Sequence, residues 1–215
     1  MNEPLKSRRE REKQARYDAI LDAAEQVFPE KGYDRTSMDD IARTASLSRA
    51  LLYVYFKDKA AIQRGIMLRA GQDLVHRFEA AARDAGNGLE KIRAMGEAYY
   101  RFYLEAPDYF TLLTKASTAI ADADEQQARD MLCSKNELMV LMEAALKQGL
   151  DDGSLNRHQI SSAEETALYL RGALHGVIML CQAESSQNPA FPSDTLIRHT
   201  MEMLTRSIST RAPAG

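Results

Sequence analysis

The sequence predicts an all-α protein: an N-terminal three-helix domain with a helix-turn-helix, followed by a larger helical domain. Three observations point to helices. Alanine occurs 31 times and valine 5 times in 215 residues, and alanine favours helices where valine favours strands. Apolar residues recur at three- and four-residue spacing, with no strand signal. Cap residues and glycines punctuate these runs at helix-length intervals.

Ala15, Ala19, Ile20, Ala23, Ala24, Val27 and Phe28 define a first helix to about Lys31. Gly32 stops it, and Pro29 is expected to shorten or kink its end. Ser37 to Asp40 has the form of a capping box and opens a short helix through Ile41, Ala42 and Ala45. After a three-residue turn, Ser48 caps a second short helix, Arg49 to about Val54. Asp58 caps a long helix on which Ile62, Ile66, Ala70, Leu74 and Phe78 repeat every four residues. Asn87-Gly88 breaks the chain. Ile92, Met95, Tyr99, Phe102 and Tyr103 mark the next helix. Pro107 starts another, bearing Phe110, Leu113 and Ala116. Asp122 to Asp124 begins a long helix ending at Gly149, and Asp151-Asp152-Gly153 is a turn. Ser162 to Glu165 boxes a helix to about Ala183, and Ser193 or Asp194 opens the last one, to about Ser209. Nine helices result. The expected divisions are a basic arm over 1–14, the helix-turn-helix domain over 15–60, the larger domain over 61–209 and a tail over 210–215.

Charge and cysteine usage narrow the function. The net charge is −3, yet the first 16 residues carry a net +3, which suits contact with phosphate. Cys133 and Cys181 form neither a disulfide framework nor a zinc pattern, so a reducing, cytoplasmic setting is expected. No apolar run reaches membrane-spanning length, so no membrane partner is expected. His76 with Glu79 and His199 with Glu202 run opposite to the Glu-x-x-His order of di-iron bundles. No phosphate-binding loop or nucleophile elbow appears. Neither a metal, a cofactor nor an enzymatic activity is expected.

The last two long helices carry more apolar surface than one stripe: Leu170, Leu174, Val177, Ile178 and Cys181 on one, Leu196, Ile197, Thr200, Met201, Met203 and Leu204 on the other. Either both are central in the bundle, or one stripe faces a second copy of the chain. A homodimer is the expectation, with Leu174, Val177, Leu196, Thr200 and Met203 at its interface.

Residues 37–55 form helix, three-residue turn, helix around Ile41, Ala42, Leu47 and Leu52, the outline of a helix-turn-helix. The stretches Gly32-Tyr-Asp-Arg-Thr-Ser-Met-Asp-Asp-Ile-Ala42 and Ser48-Arg-Ala-Leu-Leu-Tyr-Val-Tyr-Phe-Lys-Asp-Lys59 resemble the DNA-binding domain of the TetR family of bacterial transcriptional regulators. The resemblance implies that Arg49 begins the recognition helix, with Ala50, Leu51 and Val54 beside it at the bases. Arginine pairs with guanine through two hydrogen bonds, and the apolar three can touch thymine methyls. Thr36, Ser37, Ser48, Tyr53, Tyr55 and Lys59 fall where the family contacts phosphates, although core packing is the alternative for the two tyrosines. Leu52 and Phe56 are core. The turn carries Ser46 where the family has glycine, at a position expected to need positive φ. Leu51 and Val54 replace more polar types.

The resemblance further implies an operator of near-palindromic double-stranded DNA and a small-molecule effector. Tyr99, Phe102, Tyr103, Phe110, Met139, Met142 and Met179 lie on helices that line the family's ligand cavity, and as a set suggest an adaptable apolar one. His175 is either a satisfied core residue or a polar group in that cavity. The expected function is a homodimeric repressor released by a largely apolar ligand. A helical small-molecule carrier or enzyme is the alternative, for which no catalytic group is found, and an activator is a third reading.

Overall fold

The computed structural model describes residues 5–114, 125–188 and 190–210, apart from the side chains of 5–7, 114 and 126. Among these residues there are nine helices and no strand: α1 (Leu5–Lys31), α2 (Met38–Thr44), α3 (Arg49–Tyr55), α4 (Lys59–Arg83), α5 (Gly88–Glu105), α6 (Pro107–Thr114), α7 (Glu125–Asp151), α8 (Ala163–Gln187) and α9 (Ser193–Ile208). Ala116 and the expected helix start at Asp122 to Asp124 lie outside the described residues, as do 1–4 of the arm and 211–215 of the tail.

Five of the nine helix N-termini are set by side chains that accept from helix-end N–H groups. Ser37 Oγ accepts from the Asp40 amide at 3.2 Å, and Asp40 Oδ2 accepts from the Ser37 amide at 3.0 Å. Lys31 Nζ donates to Asp40 Oδ1 at 2.7 Å. Together, the Lys31 bond first, these hold the Asp40 carboxyl far below the usual carboxylate range. Ser48 caps α3 through the Leu51 amide, Asp58 caps α4 through the Ala61 amide, Asn87 caps α5 through the Glu90 amide, and Ser162 caps α8 through the Glu165 amide.

Three expectations change. The basic arm is helical from Leu5, because Arg, Lys and Glu are good helix formers and Arg8–Glu12 and Gln14–Asp18 are linked at four-residue spacing. Pro29 neither shortens nor ends α1, which runs on to Lys31; it sits in the last turn, and Gly32, at φ 80°, closes the helix onto the Phe28 carbonyl. The helix of α7 continues to Asp151, two residues past Gly149. The last helix, α9, opens at Ser193 as expected, after Pro192 and without a side-chain cap. Ser193 shares its hydroxyl with Ser185, and Asp194 instead accepts from Tyr100 and Arg198.

The chain forms two compact units, Met1–Ala70 with Leu112–Met131, and Gly71–Thr111 with Leu132–Gly215. The first is wider than the expected 15–60. The start of α4 buries Ile62 and Ile66 completely, and Arg69 reaches α1, donating to Asp22 at 2.6 Å and to Asp18 at 3.2 Å. The core of this unit is Ile20, Leu21, Ala24, Ile41, Leu52 and Phe56.

The second unit packs α9 against α8 and α5, burying Ile92, Met95, Leu146, Ile178 and Ile197. Two backbones approach closely at Gly88 and Gly149, where a Cβ on Gly88 would lie 2.1 Å from the Gly149 nitrogen. The first amides of α5 are met by the turn after α7: Gly88 donates to Asp152 Oδ2 at 2.9 Å and Leu89 to Ser154 Oγ at 3.2 Å. That turn also ties down the end of α9, with Asn156 donating to the Ile208 carbonyl at 2.9 Å.

Two glycine exchanges should move stability in opposite directions. Ser46 has φ 56°, the one positive φ at a non-glycine residue among those described, so Ser46→Gly should raise stability by up to about 1 kcal/mol. Gly88→Ala places its methyl inside backbone and should cost about 1–3 kcal/mol or more. Denaturant unfolding of both variants checks the pair.

Candidate nucleic-acid interface and ligand cavity

The helix-turn-helix is built by caps and by one left-handed residue. The turn after α2 closes through the Ala45 amide to the Ile41 carbonyl and the Leu47 amide to the Ala42 carbonyl, both 2.9 Å, with Ser46 between them. Ile41, Ala42 and Leu52 are buried and Leu47 is half-buried, as the sequence predicts. This turns one side of α3 inward and leaves Ser48, Arg49, Ala50, Tyr53 and Val54 exposed. Val54 is 77% exposed, a branched apolar side chain in water beside the sole cation of the helix. Leu51 is half-buried at its edge.

Arg49 already has partners. Its Nη1 donates to Asp39 Oδ2 at 3.1 Å, and its guanidinium lies 5.6 Å from the centre of the Tyr53 ring. A hydrogen bond with Tyr53, and then the Asp39 charge, raise its pKa further. Asp39 was not legible as part of this site from its position alone. Both members of the pair are exposed, so water screens it and Arg49 can exchange Asp39 for a base edge at little cost.

Two of the expected phosphate contacts are occupied elsewhere. Lys59 donates to the carbonyls of Tyr33, Asp34 (3.2 Å) and Thr36 (2.9 Å), and its ammonium lies 4.4 Å from the Tyr33 ring centre. An ammonium has three N–H groups, and all three are in use, so Lys59 anchors the α1–α2 loop rather than reaching DNA. Thr36 is 3% exposed and its hydroxyl donates to the Gly32 carbonyl at 2.8 Å, so it too holds the loop. Tyr55 is half-buried and lines a cleft on the inner side of α3 with Phe56 and Tyr17, away from the Arg49 face. Ser37, Ser48 and Tyr53 keep exposed positions, with the Ser37 hydroxyl donating to Asp40 Oδ2. Exposed cations in the same unit include Arg35, Arg43 and Lys57, and Arg8, Arg9, Arg11, Lys13 and Arg16 on the N-terminal part of α1.

The second unit holds an apolar cavity of about 50 Å³, lined among others by Phe78, Ile92, Met95, Leu170, Met201 and Leu204. Of the expected ligand residues, Tyr99 and Met142 line it. Tyr103, Phe110 and His175 instead form a packed ring cluster with Tyr99. Phe110 is 5.6 Å from Tyr99, 5.1 Å from Tyr103 and 5.4 Å from His175 between ring centres. Tyr99 Oη and His175 Nδ1 share a hydrogen bond at 2.7 Å. Burial raises the Tyr99 pKa and lowers that of His175, so both are neutral in this bond near pH 7. Phe102 is fully buried core under Arg77, while Met139 and Met179 are half-buried away from the cavity. Leu174, expected at a dimer interface, is 5% exposed and lines the cavity; an i, i+3, i+4 pattern does not say which stripe of a two-striped helix faces inward. Arg93 and Arg171 also line the cavity, and their charge set them outside an apolar search.

An all-helical chain in two units, one carrying a capped helix-turn-helix with an exposed cationic and apolar face, has the architecture of a bacterial DNA-binding regulator. Comparison with known proteins agrees. Residues 20–64 match the family described as bacterial regulatory proteins, tetR family, and residues 92–204 match the tetracyclin repressor-like C-terminal domain. The chain belongs to the TetR family. It is 32% identical over 83 residues to the HTH-type transcriptional activator FasR of Mycolicibacterium smegmatis, a match covering 39% of this chain and 38% of that one. It is 47% identical over 45 residues to the biofilm operon icaADBC negative transcriptional regulator IcaR of Staphylococcus aureus, covering 21% of this chain and 24% of that one. The matched parts thus span well under half the length of these relatives. The fold is that of the TetR-family regulator PfmR from Thermus thermophilus, with a TM-score of 0.66 at 24% identity over 90% of this chain and 99% of that one. It is also that of a TetR/AcrR-family regulator from Thermobifida fusca, with a TM-score of 0.71 at 23% identity over 89% and 97%. No described helix is long and apolar enough to cross a membrane.

The reassignment of Lys59 has a direct test. Lys59→Ala should lower the stability of the protein by about 1.5–3 kcal/mol, the range for hydrogen bonds to a charged group. The salt dependence of DNA binding, read by titration at several ionic strengths, should be unchanged, because no phosphate contact is lost.

Proposed function

We propose that the protein is a DNA-binding transcriptional repressor that acts as a homodimer and leaves its operator when a largely apolar ligand enters the second unit. The carrying observation is the outer face of α3. Arg49, Ala50 and Val54 stand exposed on a helix whose opposite side is locked by Leu52. Folding alone gives no reason to keep Val54 in water, whereas a thymine methyl does. Arg49 is the hydrogen-bond donor suited to guanine, and Ser37, Ser48 and Tyr53 supply hydroxyls for backbone phosphates. The basic start of α1 adds sequence-independent attraction.

Dimerisation is supported by the outer face of α8. Leu168, Tyr169 and Leu180 are each about half exposed, and Gly172 and Gly176 between them have open space where a Cβ would stand. No charge interrupts this stripe, and two glycines four residues apart let a second helix approach closely. Val177 is half-buried at the edge of this face, beyond Leu180, and Leu196, Thr200 and Met203 form the accompanying stripe on α9. Two copies would present two recognition helices to successive major grooves of a near-palindromic site.

Repression relieved by ligand is supported by the state of the cavity. At about 50 Å³ it is far smaller than the roughly 300–1,000 Å³ that holds a drug-sized ligand. A larger ligand would therefore bind by favouring a form in which the lining helices separate. Its apolar walls take an apolar body, and Arg93 and Arg171 offer charge to a polar end.

Footprinting on DNA upstream of the protein's own gene identifies the operator. Arg49→Ala should then lose about 1–3 kcal/mol on the operator and much less on scrambled DNA. Equal loss on both would make Arg49 a phosphate contact, and absence of any protected sequence would sink the regulator reading. For the interface, Gly176→Glu should yield folded monomers by sedimentation, whereas Leu174→Glu should destabilise the fold itself, since its charge is buried against the cavity wall.

A further inference from the structure

The first unit contains a second cleft, of about 270 Å³, with chemistry unlike the apolar cavity. It lies among α1, α3, α4 and α7. Arg64, on α4, is 5% exposed. Its Nε donates to Gln127 Oε1 at 2.8 Å, and Gln127 Nε2 in turn donates to the Ala61 carbonyl at 3.3 Å. Among the described residues no carboxylate pairs with this guanidinium and no group accepts from its two Nη atoms. Among the described residues no side-chain nitrogen or oxygen sealed from solvent lacks a partner. The Nη groups of Arg64 therefore open onto the cleft that Arg64 lines. A buried arginine is normally paired, because an uncompensated charge out of water is costly. Here the fold holds the cation and leaves its fork empty.

The rest of the lining describes what fits the fork. Gly65 lets α1 and Phe56 pack close against α4, since a Cβ there would lie 2.9 Å from the Tyr17 hydroxyl and 3.3 Å from the Phe56 ring. Burial raises the Tyr17 pKa, so this hydroxyl keeps its proton to donate. Phe56, Leu68 and Met131 supply apolar walls. Asp130 also lines the cleft, so a dianion would meet one charge for it and one against. A planar monoanion matches a single guanidinium through two parallel hydrogen bonds. We propose that this cleft binds a small organic monocarboxylate, with its carboxylate on the Nη groups of Arg64 and its apolar body against Phe56, Leu68 and Met131. Tyr55 of the recognition helix lines the same cleft, so the ligand touches the element that reads DNA. This last link rests on the regulator reading; the binding site itself does not.

Calorimetry on the full chain tests the site with three probes: benzoate, its neutral counterpart benzamide, and phenyl phosphate. Benzoate should bind once per chain, and benzamide about tenfold more weakly or worse, for want of the charge-assisted bonds. Arg64→Met should abolish benzoate binding. Because that substitution could disturb folding, Leu68→Trp, at a half-buried position, serves as the second variant; it should fill the cleft and block benzoate while the helical melt is retained. Equal binding of benzoate and benzamide, benzoate binding unaffected by Leu68→Trp, or no benzoate binding at millimolar concentration would each overturn the site. Tighter binding of phenyl phosphate would overturn the carboxylate assignment. Operator affinity measured with and without benzoate is a separate arm. A change supports the link to α3, and unchanged affinity with intact benzoate binding removes that link alone. A chain that binds benzoate and no DNA would overturn the regulator reading and leave the site standing.

Discussion

The helix-turn-helix depends on Lys59. Helices of seven residues, such as α2 and α3, are not stable by themselves in water, so their positions must be imposed from outside. Lys59 does this with one ammonium, gathering the carbonyls of Tyr33, Asp34 and Thr36. Thr36 closes the same loop onto Gly32. The loop sets where Ser37 begins α2, the left-handed Ser46 sets the turn, and Ser48 begins α3. The outward aim of Arg49 and Val54 is the end of that chain of constraints.

The second unit is organised by a different constraint, the near-contact of two backbones. Gly88 and Gly149 allow the start of α5 to touch the end of α7, and the following turn supplies Asp152 and Ser154 to the otherwise unpaired amides of α5. The Asp152 carboxyl is held below its ordinary pKa by Ser154 first and by the Gly88 amide as well. With that end closed, the apolar faces of α5, α8 and α9 meet over a small cavity. A cavity of that size in a unit lined by methionine and leucine can enlarge without breaking polar bonds, because its walls hold together by area rather than by direction.

Arg49 and Arg64 show two ways of holding a guanidinium in readiness. Arg49 is exposed and parked on Asp39, where water screens the pair and release is cheap. Arg64 is buried, bonded at Nε alone, and faces a cleft. The first suits a partner as large as DNA, which strips water as it docks. The second suits a ligand small enough to enter.

The sequence by itself determined the helical class, the order of helices and the caps, because these rest on local chemistry: a serine or aspartate before an amide, a glycine after a helix, a four-residue apolar repeat. It also determined the strain at Ser46, since a side chain in a position that needs positive φ can be recognised from the motif alone. The inner residues Leu52 and Phe56 and the exposed Arg49 and Val54 were legible for the same reason. Tertiary structure decided the partners of long side chains. Lys59 and Thr36 look free in sequence, and only the fold brings carbonyls 23 or more residues away to Lys59. It also decided which apolar stripe of α8 faces inward, moving Leu174 to a cavity wall and leaving Leu168, Tyr169 and the two glycines outside. A helix with two apolar stripes has no local signal to choose between them; that choice belongs to the helices packed against it.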